Sequence, residues 1–322
     1  MKANAWHSQA QAAPAASPWA THAERGSMMM LRLMSWISLR LGRRVSRGVL
    51  YGIAAYFFVF APQARRHARD YLRRVLGRPA KPIDRFRQIF TFASTIHDRV
   101  YLLNGRFELF DISVDGEALV RADRPNGGGA LLIGAHLGSF EATRALGQRR
   151  AGLEIAMAMY ADNARKINAA LIAISPRLKA DIIELGHMSA MLEIRARLAA
   201  GSFVGMLGDR TPGGEPVEQV MFLGAPASFP LGPLRAAAML RCPVFFMAGF
   251  YLGGNRYHIV FEPIADFSTT GADVGTHAIS AAVRQYAAVV ERNCRLYPYN
   301  WFNFLDFWQA QPAGVPRVSG AE

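Results

Sequence analysis

The stretch ALLIGAHLGSFE, residues 130–141, opens as a short apolar run announced by Gly127, Gly128 and Gly129 and closes on Ala135 and His136. A brief apolar run bounded by glycine reads as a buried strand. Gly138 then permits a turn, Ser139 suits the N-cap of a following helix, and Glu141 falls in that helix's first turn. Strand, turn and helix in succession form the unit of an open α/β sheet, which places its chemistry just past the carboxyl ends of its strands. His136 stands there.

Further strand patterns follow at 154–160, 181–184, 203–208, 244–252 and 257–262, and helical patterns alternate with them at 141–150, 163–174, 188–200, 232–239 and 274–293. Strands separated by helices of this length predict an α/β fold with a largely parallel central sheet flanked by helices. Upstream, residues 82–109 carry Ile83, Phe86, Ile89, Phe90 and Ala93 at helical spacing, predicting a helix packed on that sheet. No internal repeat is visible.

The amino-terminal quarter differs in character. Residues 1–27 are rich in Ala, Pro, Ser and Gln and are expected to be disordered, and they hold no apolar run suited to a signal peptide. Residues 31–78 carry eleven arginines against one acid, Asp70. Between the arginines lies the apolar run VLYGIAAYFFVFAP, 49–62, shorter than the roughly 20 residues that a helix needs to cross a hydrocarbon core. Arginines on both flanks, with Trp36 and Tyr51 nearby, suit a basic helix at an anionic leaflet; a buried helix and a full span are the alternatives. The expected organisation is a disordered extension (1–27), a basic membrane-associated segment (28–80), a catalytic domain (81–310) and a tail (311–322).

A net charge of +13 implies attraction to an acidic partner. Nucleic acid is not expected: no helix-turn-helix, zinc-finger or RNA-binding signature accompanies the charge, and the arginines flank an apolar run. Cys242 and Cys294 lack metal-ligand spacing, so neither zinc nor a disulfide framework is indicated. No G-x-S-x-G elbow is present, which disfavours a serine hydrolase.

An imidazole beyond a strand end suits general-base work, because its charge changes near neutral pH. A carboxylate on its far nitrogen would fix the tautomer and stabilise the imidazolium. On one continuous helix, positions five apart diverge by about 140°, but a turn at Gly138 would let Glu141 meet His136. Asp209 and Arg210 stand at another predicted strand end, on the same rim, where Arg210 suits a phosphate and Asp209 a sugar hydroxyl or the guanidinium; a structural ion pair is the plainer alternative. Leu137, Gly138, Ser139 and Tyr160, at the ends of the first two predicted strands, complete the candidate substrate-binding set.

His136-x4-Glu141 after a buried strand resembles the His-x4-Asp/Glu motif of glycerolipid and lipid A acyltransferases. Three later pieces resemble the bacterial lipid A late acyltransferase branch: GSFVGMLGDR (201–210), FLGAPASFPLGP (222–233) and YPYNWFNFLDFW (297–308). The resemblance covers roughly residues 28 to 309. It implies the acyltransferase α/β fold, His136 as general base with Glu141 as its orienting partner, no metal or bound cofactor, and an acyl carrier protein or acyl-CoA as thioester donor. It also implies a lipid acceptor at the cytoplasmic face of a bacterial inner membrane. Where many members carry Asp-Gln-Asp, this chain has Gly208-Asp209-Arg210. That departure leaves the acceptor open between a lipid A-like glycolipid and an ornithine or aryl-polyene lipid. A non-catalytic lipid-binding protein on the same scaffold is the alternative from another class. The aromatic stretch 297–308 is read either as a closing element of the core or as a surface at the lipid interface.

Overall fold

A computed structural model describes residues 18–121, 128–149, 155–174, 181–210, 215–269 and 275–308. The chain opens with three helices, α1 (Pro18–Phe60), α2 (Pro62–Leu76) and α3 (Pro82–Leu103), followed by β1 (Asp111–Asp115) and the short α4 (Glu117–Arg121). The alternating part runs β2 (Leu131–Gly134), α5 (Phe140–Arg149), β3 (Ile155–Tyr160), α6 (Ala161–Ile174), β4 (Ile182–Leu185), α7 (Met188–Ala199) and β5 (Phe203–Leu207). A hairpin of β6 (Val217–Phe222) and β7 (Ala225–Pro230) precedes α8 (Gly232–Leu240), and β8 (Pro243–Gly253), β9 (Arg256–Asp266) and α9 (Thr276–Leu296) complete the fold.

The sheet has seven strands in the order β1-β9-β8-β2-β5-β3-β4. The five from β8 to β4 are mutually parallel, and β9 with β1 runs opposite to them. Period-two alternation sends successive side chains to opposite faces. Leu131, Ile133, Val204, Met206, Val244 and Phe246 pack with α7, α8 and α9. On the other face Ala130, Leu132, Phe203, Met247 and Met157 pack with α3, α5 and α6. Both cysteines are buried and free, and burial pushes the Cys242 thiol up to about 11.

Three expectations change. β1 and the β6–β7 hairpin were not anticipated, and the predicted helix 82–109 ends at Leu103, where Asn104 and a positive-φ Gly105 stop it before a single 3-10 turn at Phe107–Leu109. Residues 18–27 of the expected disordered extension lie within α1, whereas residues 1–17 and the expected tail lie outside the described residues.

α1 is two helical segments joined at Gly42, whose φ of +78° breaks the run. Its Ser46, Leu50 and Ala54 recur at four-residue spacing, are buried, and let α1 approach α3 closely. Arg43 crosses that interface to Asp98 with two side-chain hydrogen bonds, at 2.7 and 2.8 Å, and Tyr257 of β9 donates to the same carboxylate at 2.9 Å. The Val45, Val49, Tyr56, Phe57, Val59 and Phe60 side chains are exposed. No single helix among the described residues is long and apolar enough to cross a membrane; segments Met34–Phe60 and Pro62–Leu76 together would be, and they meet at 94°.

Candidate active site

Strand register builds the site. Gly134 of β2 pairs in parallel with Leu207 of β5. Two residues beyond each lie His136 and Asp209, so both emerge side by side at the carboxyl edge of the sheet. Gly208 lets the strands approach there: a Cβ on it would lie 2.5 Å from the Ile133 side chain.

Asp209 accepts from the His136 ring, with Nδ1 at 2.9 Å from Oδ1 and 3.1 Å from Oδ2, and from the His136 backbone N–H at 3.0 Å. Asn303 Nδ2 donates to the same carboxylate at 2.8 Å. The Asp209 side chain is fully buried, while that of His136 is 29% exposed. Burial alone would push the Asp209 carboxyl up; the His136 charge and hydrogen bonds, with Arg210 behind them, outweigh it and hold the group below the usual carboxylate range. With Nδ1 committed as donor, the neutral ring presents a lone pair on Nε2, which makes no hydrogen bond among the described residues.

The expected contact between Glu141 and His136 is not formed. Glu141 sits in the first turn of α5 and pairs with Arg99 of α3, Nε to Oε1 at 2.8 Å. The reason is local. Leu137, Gly138 and Ser139 turn the chain so that α5 leads back across the sheet toward α3, and a carboxylate in its first turn meets the helix on that side. Asp209, brought in by β5, takes the position beside the ring.

Leu137 is buried and bridges to Trp301. Gly138 has φ +77°, donates its N–H to Asn300 O at 2.9 Å, and leaves no room for a side chain, since a Cβ would stand 2.4 Å from Gly249 O. Ser139 is buried and caps α5, its Oγ accepting from Ala142 N at 3.3 Å. All three therefore build the loop that carries His136. Tyr160 ends β3, two strands from β2 on the same edge, and donates its hydroxyl to Glu215; burial and that carboxylate raise the phenol to about 12. Arg210 donates through Nε to Asn303 Oδ1 and through Nη2 to Phe302 O at 3.3 Å.

Residues 297–308 act as a strap. Phe302 N donates to His136 O at 2.7 Å, opposite the Gly138 to Asn300 bond, so the strap pairs antiparallel with the loop after β2. Trp301, fully buried, anchors it against Tyr71, Phe222 and Phe307 at centroid distances of 5.9, 5.6 and 5.3 Å. The closing-element reading of this stretch thus holds for Trp301. Asn303, linking Asp209 to Arg210, escaped the sequence reading because no periodicity marks it.

The family model for bacterial lipid A biosynthesis acyltransferases matches residues 18–310, nearly the whole chain. The chain belongs to that family. The acyltransferase matches no protein in the curated set. Among solved structures it is similar to the 1-acyl-sn-glycerophosphate (LPA) acyltransferase PlsC from Thermotoga maritima, at 12% identity and a TM-score of 0.37, over 85% of this chain and 96% of that one. The family assigns the enzyme to acyl transfer on lipid-related substrates.

Proposed function

We propose that this acyltransferase moves a fatty acyl group from a thioester, on an acyl carrier protein, to a hydroxyl of a lipid A-like glycolipid at the cytoplasmic face of the inner membrane. His136 is the general base and Asp209 its orienting partner. The observation that carries this is the Asp209–His136 pair, with the carboxylate buried on Nδ1 and Nε2 left open.

In this reading the acceptor hydroxyl gives its proton to His136 Nε2 as its oxygen attacks the thioester carbonyl carbon. The new C–O bond forms, the tetrahedral intermediate collapses, the C–S bond breaks, and the imidazolium returns the proton to the departing thiolate. Asp209 stabilises the imidazolium between those steps. Arg210, held by Asn303, supplies positive charge at the rim for a phosphate of donor or acceptor. Glu141, joined to Arg99, holds the first turn of α5 to α3 as a positioning residue. No metal or organic cofactor is called for, because the thioester is already activated.

The arginine-rich α1–α2 segment and its exposed apolar side chains suit an anionic membrane surface. The test is transfer of label from acyl carrier protein to a total lipid extract: product from the wild type and none from His136→Ala supports the reading, and equal product from both overturns it.

A further inference from the structure

A cleft of about 730 Å³ opens between α1, α3, the β8–β9 turn and the start of the strap. It lies along the strap from the catalytic pair: Tyr297, Tyr299 and Asn300 line the cleft, whereas Phe302 and Asn303 reach His136 and Asp209.

Its charge is one-sided. Arg47 and Arg87 line it and no acidic residue does. Arg47 is steered by Gly254 O at 3.0 Å and the Tyr251 hydroxyl at 2.8 Å, and Arg87 lies over the Tyr299 ring at 5.9 Å. Among the described residues neither guanidinium has an ion-pair partner. Beside them is an apolar floor, with Tyr51 stacked on Phe90 at 4.4 Å and Phe86 on Phe90 at 6.2 Å. Tyr51 and Ile83, both exposed, carry that floor out to the surface of α1 and α3.

Two guanidiniums without a carboxylate favour a phosphate, which accepts several charge-assisted hydrogen bonds. Phosphate alone would leave the stacked rings wet, whereas an amphiphile satisfies both halves of the cleft. We propose that this cleft binds an anionic phospholipid, its headgroup phosphate on Arg47 and Arg87 and the upper part of its chains on Phe86, Phe90 and Ile83. The site rests on the membrane reading above and goes beyond it by assigning one place for one lipid, next to the strap whose far end holds Asp209.

The test uses the full chain and dihexanoyl-phosphatidylglycerol, kept monomeric below its micelle concentration, titrated by calorimetry. Monomeric lipid removes the diffuse attraction of a charged bilayer. Wild type binds; Arg87→Ala and Ile83→Glu, both at exposed positions, weaken binding by about tenfold, and Arg69→Ala on α2 leaves it within about twofold. Thermal unfolding establishes that the variants are folded. Equal affinity for the phosphatidylcholine of the same chain length overturns the anionic claim, and equal affinity for glycerol 3-phosphate overturns the lipid claim. An Arg87→Ala effect no larger than that of Arg69→Ala overturns the site. Flotation of wild type with phosphatidylglycerol vesicles separates the two readings: flotation without monomer binding sinks the cleft alone, and monomer binding without flotation sinks the membrane reading alone.

Discussion

Asp209 and His136 stand 73 positions apart and share three hydrogen-bond contacts, two to the ring nitrogen and one to the backbone N–H. A carboxylate bonded to both the ring and the main chain of one residue restrains ring rotation and tautomer together. The pair exists because parallel register sets both residues two positions beyond a matched Gly134 and Leu207.

The loop that carries His136 depends on Gly138. Its φ of +77° and the 2.4 Å approach of Gly249 O to a would-be Cβ mean that Gly138→Ala must shift backbone. The expected cost is about 1–3 kcal/mol from the left-handed conformation, and more from the clash, with activity lost. Gly224→Ala, at φ +80° in open space, is expected to carry the same conformational cost of about 1–3 kcal/mol without the clash and leave activity intact. Denaturant unfolding of the two variants makes the comparison.

Acid pH is expected to loosen the α1–α3 interface. Burial pushes the Asp98 carboxyl up, but the His97 imidazole, with Nδ1 3.5 Å from Oδ1, the hydrogen bonds from Arg43 and Tyr257 and the Arg43 charge outweigh it and hold the group low. A depressed carboxyl contributes stability that is present above its unfolded value, about 4, and is lost as pH falls through its lower folded value. Asp209 acts in the same direction. The midpoint of thermal unfolding should therefore hold near neutrality and decline below about pH 4. Asp98→Asn should lose about 3–5 kcal/mol at pH 7 and show a flatter acid decline; a decline as steep as that of the wild type would remove Asp98 from the account.

The strand–turn–helix at 130–141 was legible because apolar run, glycine and cap stand in sequence order, and β2, Ser139 and α5 follow it closely. The partner of His136 was not legible, since proximity in sequence favoured Glu141 while strand pairing decided for Asp209. One signal pointed there: His136 and Asp209 both stood at predicted strand ends. β1 escaped notice because it is an edge strand with no fully buried residue, and β6 because VEQVMF has no period-two alternation: its two polar residues, Glu218 and Gln219, stand side by side and three apolar residues, 220–222, follow in a run. The β6–β7 turn, Leu223 and Gly224 at φ +50° and +80°, is the positive-φ pair that a two-residue hairpin favours, with Leu in a position where Asn would have announced it.

Membrane binding should depend on the exposed side chains of α1. Phe57 and Phe60 are 52% and 67% exposed, and burying each in an interface is worth about 1.5–3 kcal/mol at most. Phe57→Glu with Phe60→Glu should reduce partition to phosphatidylglycerol vesicles by at least about tenfold, with thermal stability little changed. Undiminished flotation would mean that this face does not meet lipid.

The most direct measurement compares steady-state acyl transfer from acyl carrier protein for Asp209→Asn and Glu141→Gln. The Asp209–His136 pairing predicts that Asp209→Asn lowers kcat by about 10²–10⁴ with a small change in KM, while Glu141→Gln costs less than about tenfold in kcat and acts mainly through stability. A Glu141→Gln enzyme as inactive as His136→Ala, beside an Asp209→Asn enzyme of near wild-type rate, would contradict it and return the orienting role to Glu141.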